Sequence, residues 1–137
     1  MSEAVAISTS KYITTVKAKI DDHIYTVRKI GAGESLDLSR EINKLSEYQV
    51  EALNFRGKYE VAKTDEDKAK LFEEMSKMTE AIGAINERIE AIYCDLFDDG
   101  EDGTRTKHLV KTLGIENIQK VYSEVMGVLD EKSEKSA

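Results

Sequence analysis

Between Leu71 and Leu96 the apolar residues fall into an unbroken seven-residue repeat: Leu71, Met75, Met78, Ile82, Ile85, Ile89, Ile92 and Leu96. Alternating steps of four and three place one seam along a helix, and such a seam has to be covered by other helices. No proline stands anywhere in the chain to interrupt it. A helix from about Asp67 to Phe97 would rise by roughly 45 Å at 1.5 Å per residue, longer than a compact domain of this size is wide. The segment therefore reads as a spine. As a free-standing coiled coil it would carry Met75, Ile82, Ile89 and Leu96 at a positions and Leu71, Met78, Ile85 and Ile92 at d positions. Ile at both favours assemblies larger than dimers. The flanking e positions (Phe72, Thr79, Asn86, Tyr93) and g positions (Glu74, Ala81, Arg88, Asp95) hold no regular charge ladder. They broaden the apolar stripe instead, which suits the interior of a bundle.

A matching stripe lies upstream. Leu38, Ile42, Leu45, Tyr48, Ala52, Phe55, Tyr59 and Ala62 recur mostly at helical spacing, with Gly57 as a weak point. Gly31-Ala32-Gly33 precedes this helix, and Ser35 or Asp37 is expected to cap it. It ends near Lys63 to Asp67, where Thr64 or Asp65 is expected to cap the spine. Two long antiparallel helices follow from so short a connection.

Before the helices, Val16, Ala18 and Ile20 alternate with Thr15, Lys17 and Lys19, and Tyr25 and Val27 with Thr26 and Arg28. Asp21 and Asp22 supply turn chemistry between the two runs. This predicts a β-hairpin over 13–30, which must pack on helices or pair with another chain, since a lone hairpin is marginal in water. Residues 1–10 read as a flexible lead-in. Downstream of Phe97, Asp98 to Gly103 reads as a solvated loop. Thr104 or Thr106 would cap a short helix through Leu109, Val110 and Leu113, with Gly114 as its stop. A last helix carries Ile115, Ile118, Val121, Tyr122, Val125, Met126 and Leu129, and residues 131–137 read as a charged, disordered tail. The fold class is thus mainly α: a long antiparallel helix pair, one or two shorter C-terminal helices and a small N-terminal β-hairpin. Residues 11–130 are expected to form a single domain.

Chemistry is sparse. The acidic loop starting at Asp98 fails as a calcium loop, because its third position is Gly100 and its twelfth Leu109. His23, Cys94 and His108 have no zinc spacing, and the histidines read as surface residues and the cysteine as packing. Gly31 to Ser35 lacks the remaining elements of a nucleotide-binding loop. No carboxylate pair sits in an apolar setting that would separate acid from base. Hence no enzymatic role, cofactor or metal is expected. With 27 acidic against 20 basic residues the net charge is −7, and no basic recognition helix argues for nucleic acid. No basic signal segment or long apolar run argues for secretion or a membrane, so a cytoplasmic protein is expected.

The segment IDDHIYTVRKIGAGESLDL, the pair of charged amphipathic helices and LFDDGEDGTRTKHLVKTLGIENIQKVYSEVMGVL together resemble the tail assembly chaperones of long-tailed bacteriophages. In that family a strand-turn-strand with a short pattern around Tyr25, Val27 and Arg28 leads into helices. An Asp/Gly loop then precedes a segment like Leu113-Gly114-Ile115-Glu116. The resemblance implies a protein of the host cytoplasm, absent from the mature virion. Such a protein binds the tape measure protein and keeps it soluble while tail tube subunits assemble around it. It also implies contact with the tail tube protein and a longer form made by ribosomal frameshifting, while the hairpin edge and the Ile-rich seam suit self-association into rings or filaments. Candidate contacts are Tyr25 and Val27 of the hairpin, its exposed edge, and Val121, Tyr122, Val125 and Met126 of the last helix. The competing reading is a structural head-tail connector or another small phage morphogenesis subunit.

Overall fold

The computed structural model describes residues 4–6 and 14–136. The lead-in of residues 1–10 falls mostly outside them, and the expected hairpin start at Ile13 wholly so, as do Ala137 and the side chain of Leu129. The elements are β1 (Thr15–Ile20), β2 (His23–Arg28), α1 (Ala32–Val61), α2 (Asp65–Leu96), β3 (Phe97–Asp98) and α3 (Thr104–Ser136). The mainly helical class, the long helix pair and the N-terminal hairpin are as expected. Contacts divide the chain into two compact units, one of residues 1–30 and 93–137 and one of residues 31–92. The division falls inside α2, between Ile92 and Tyr93.

In the first unit the hairpin closes as its sequence predicts. Ile20 and His23 form the last pair, and Asp21 and Asp22 bridge them with φ of 48° and 66°. Positive φ at both loop residues is the turn whose twist matches the strands, and Asp tolerates it better than most residues. Val16, Ala18 and Ile20 are half-buried, whereas Thr15, Lys17 and Lys19 are exposed. The third strand is a finding that propensity could not supply. Only two residues long, β3 pairs antiparallel with β2 through Thr26–Asp98 and Val27–Phe97, so β2 is central and β1 is an edge. Among the described residues of this unit, Tyr25, Val27, Tyr93, Leu96, Phe97, Leu109, Val110 and Ile118 are the buried apolar side chains.

Helix α3 is broken where expected: Gly114 takes φ 78° and ψ 168° in the middle of it. That backbone conformation is open to glycine and strained for other residues. The helix is described through Ser136.

In the second unit α1 and α2 pack together. Residues 62–64 connect them, and Thr64 caps α2 as predicted by accepting the N–H of Asp67 at 3.1 Å. Glu41 of α1 meets Arg88 of α2 (3.0 Å), and toward the connection Lys68 lies 5.7 Å from the Tyr59 ring centre, the run of an antiparallel pair. The start of α1 differs from the prediction. Its first residue is Ala32, and Glu34 accepts the N–H of Gly31 at 3.2 Å, so Ser35 and Asp37 lie inside the helix and do not cap it. An acidic residue in the third helical position reaches back to the cap and lets the helix begin earlier. Of the α1 stripe only Phe55 is buried; Leu38, Ile42, Leu45 and Tyr48 are half-buried, and Ala52 and Tyr59 are exposed.

Candidate interaction surfaces

Three features of the first unit bear on what it could bind: a strand edge unpaired among the described residues, a latched last helix and a cleft at the hairpin tip. The edge follows from the hydrogen-bond phase. Lys29 donates its N–H to the Thr14 carbonyl at 2.9 Å, and closely bonded pairs alternate with open ones along an antiparallel ladder. Residues 16, 18 and 20 of β1 therefore bond to β2, and Thr15, Lys17 and Lys19 direct their N–H and C=O groups outward. Among the described residues no strand pairs with that edge. Lys17 and Lys19 make it basic, in a chain that is acidic overall.

The hairpin side chains proposed as contacts are placed elsewhere. Tyr25 is 5% exposed and Val27 fully buried, on the central strand. They are core residues here, because the alternation that suggested a strand turns both to the same inner face. Tyr25 packs edge-to-face on Phe97, and burial holds its hydroxyl above the ordinary tyrosine range.

The last-helix residues do come together on one side, and Val121, Tyr122, Val125 and Met126 are all half-buried. Tyr122 has a structural task. Its hydroxyl accepts the N–H of Ile30 at 2.8 Å and donates to the Arg28 carbonyl at 3.1 Å. Its ring meets Tyr93 and Phe97 edge-to-face at 6.0 and 6.1 Å. Thus one side chain joins α3 to the exit of β2. Val121, Val125 and Met126 remain as candidates with no such commitment.

The Asp98–Gly103 loop is more ordered inside than a solvated linker. Asp99 is buried, and its carboxylate accepts four backbone N–H groups: Glu101 (2.8 Å), Gly103 (3.2 Å), Arg105 (3.1 Å) and Thr106 (3.2 Å). Burial pushes its pKa up, but the four donors outweigh that and hold it below the usual carboxylate range. Asp99 is therefore the cap of α3. Thr106, predicted as a cap, turns its hydroxyl back to the Phe97 carbonyl at 2.9 Å, tying the helix start to β3. Asp102 accepts the Thr104 N–H at 3.0 Å. No local spacing marked Asp99 out from its acidic neighbours; the short range from Asp to the first helical N–H groups was the only available signal.

Beside this cap lies a cleft of about 530 Å³ lined by Asp21, His23, Tyr25, Arg105, His108 and Leu109, among others. The two histidines, 85 positions apart in sequence, face one cavity. His23 is half-buried, not a surface residue: its Nε2 lies 2.7 Å from the Asp99 carbonyl, which only accepts, so Nε2 carries the proton. Asp99 already occupies the N–H groups at the start of α3, so the helix end offers the cleft no open anion site. Cys94 is half-buried on α2. No described helix is long and apolar enough to cross a membrane.

Comparison with protein-family models, curated proteins and solved structures gives no match for this chain.

Proposed function

We propose that this protein is a tail assembly chaperone of a long-tailed bacteriophage, acting in the host cytoplasm to bind the tape measure protein and keep it soluble during tail tube assembly. The observation that carries the reading from the molecule's side is the half-buried stripe of Val121, Val125 and Met126, continued by the exposed Val128, on the last helix. A stripe at helical spacing suits an amphipathic helical client laid along it. The free, basic β1 edge offers a second contact for the client or for the tail tube protein, through backbone pairing. Neither surface needs a cofactor. Tyr25 and Val27 act in this reading by holding the hairpin, not by touching the client.

Co-expression with the tape measure protein of the same genome tests it. Wild-type protein should keep the client in the soluble fraction and copurify with it, and Val125→Asp should lose most of both. Unchanged recovery with Val125→Asp sinks the last-helix contact. Failure of the wild type to copurify, together with its presence in purified particles, points instead to the connector reading. A gene order with a tube protein before and a very long helical protein after would support the chaperone.

A further inference from the structure

The helix pair of residues 31–92 leaves part of its heptad seam uncovered. Ile85 and Ile89 are buried, but toward the 62–64 connection Met75 is 43% and Phe72 66% exposed. Across from them on α1, Tyr59 is 43% exposed. Between the two helices runs a groove of about 520 Å³ lined by Ala52, Phe55, Arg56, Tyr59, Phe72 and Met75. The opposite side of the same pair is more charged: Glu51, Lys58, Glu74 and Lys77 line it, together with Tyr48, Phe55 and Met78. Two helices with an open apolar groove along one side are half of a four-helix arrangement.

We propose that this groove is closed by the same groove of a second copy, the two helix pairs facing each other across a two-fold axis. The rim argues for self-pairing over a client of one charge sign. Glu60, which also lines the groove, stands one turn from Arg56, and the two meet in a loose pair at 3.6 Å with side chains 67% and 90% exposed. Such an exposed pair holds little energy within one chain. A two-fold axis brings residue i against j and j against i, so Arg56 of each copy can exchange its partner for Glu60 of the other. The fill matches as well: Phe72 and Met75 are unbranched or aromatic knobs that enter the opposing groove, and Ala52 leaves room for them. This dimer does not depend on the chaperone reading and survives its failure.

Light scattering on the full chain, from low to several hundred micromolar, decides it. The wild type should move with concentration toward twice the 15.4 kDa chain mass. Phe72→Glu combined with Met75→Glu should remain at one chain mass, its helical circular dichroism unchanged because both side chains are exposed. Arg56→Glu alone and Glu60→Arg alone should each weaken association by about tenfold or more through like-charge contacts. Mixed in equal amounts, the two charge variants should pair with each other as the wild type does. A wild type that stays at one chain mass overturns the proposal. So does a doubled or larger mass that persists in the Phe72 and Met75 variant, or a charge-variant mixture that fails to associate. If the groove takes up an added amphipathic helical peptide while the chain stays monomeric, the occupant is a client helix and the self-pairing is wrong.

Discussion

The hairpin with α3 and the helix pair solve the problem of burial by different means. In the first, a few aromatic rings, a two-residue strand and polar side chains aimed at backbone groups close the interior: Tyr122 holds both ends of the Arg28–Ile30 segment, Asp99 holds four N–H groups and Thr106 holds the Phe97 carbonyl. In the second, one seam packs against one stripe, and the cross-helix ion pair Glu41–Arg88 adds direction. Arg88, hydrogen-bonded to Glu41, holds that carboxyl below the ordinary value, while the second carboxylate oxygen of Glu41 is buried without a hydrogen-bond partner. Two helices have only one mutual face, so any stripe wider than that face stays in water. A region latched by directional bonds is suited to hold a shape. One with an open apolar groove is suited to associate.

That contrast can be broken most sharply at Phe97. It is 1% exposed and touches Tyr25 and Tyr122, and Phe97→Ala should cost about 3 to 5 kcal/mol, read by chemical denaturation. A loss no larger than that of an exposed site would mean the first unit is not organised around its aromatic cluster.

A smaller but chemically more telling loss is expected for Asp99→Ala, which removes the acceptor of four N–H groups. Its folded pKa is depressed, so the stability it contributes is present above the unfolded carboxylate value and lost as pH falls through the folded one. Wild type should therefore lose stability below about pH 4, and the gap between wild type and Asp99→Ala should narrow there. Thermal melts from neutral to acid pH measure this, and a constant gap would remove the charge from the account.

Least is expected from Tyr122→Phe. It keeps the ring contacts and deletes two hydrogen bonds, for a cost of about 1 to 2 kcal/mol, with faster exchange of the Ile30 amide. If that amide exchanges as before, the latch does not hold the segment.

Much of the architecture was legible because it rests on local chemistry. The heptad from Leu71 to Leu96 fixed a long helix, Thr64 its start, Gly114 a break in α3, and Asp21-Asp22 the turn of the hairpin. The interaction surfaces were less legible. Tyr25 and Val27 read equally well as strand contacts or core, since alternation tells which residues share a face and not which face is covered. Tyr122 looked like one more member of an apolar stripe until its hydroxyl met backbone groups 92 and 94 positions away.

The amino-acid order by itself determined the helices, the turn and the apolar seam, because periodicity, capping and backbone preference act over a few residues. Only the tertiary structure decided which acidic residue of the Asp98–Gly103 loop became buried, that Phe97 and Asp98 would extend the sheet, and which length of the seam would be left open. Those outcomes depend on partners far apart in sequence, whose meeting no local spacing encodes.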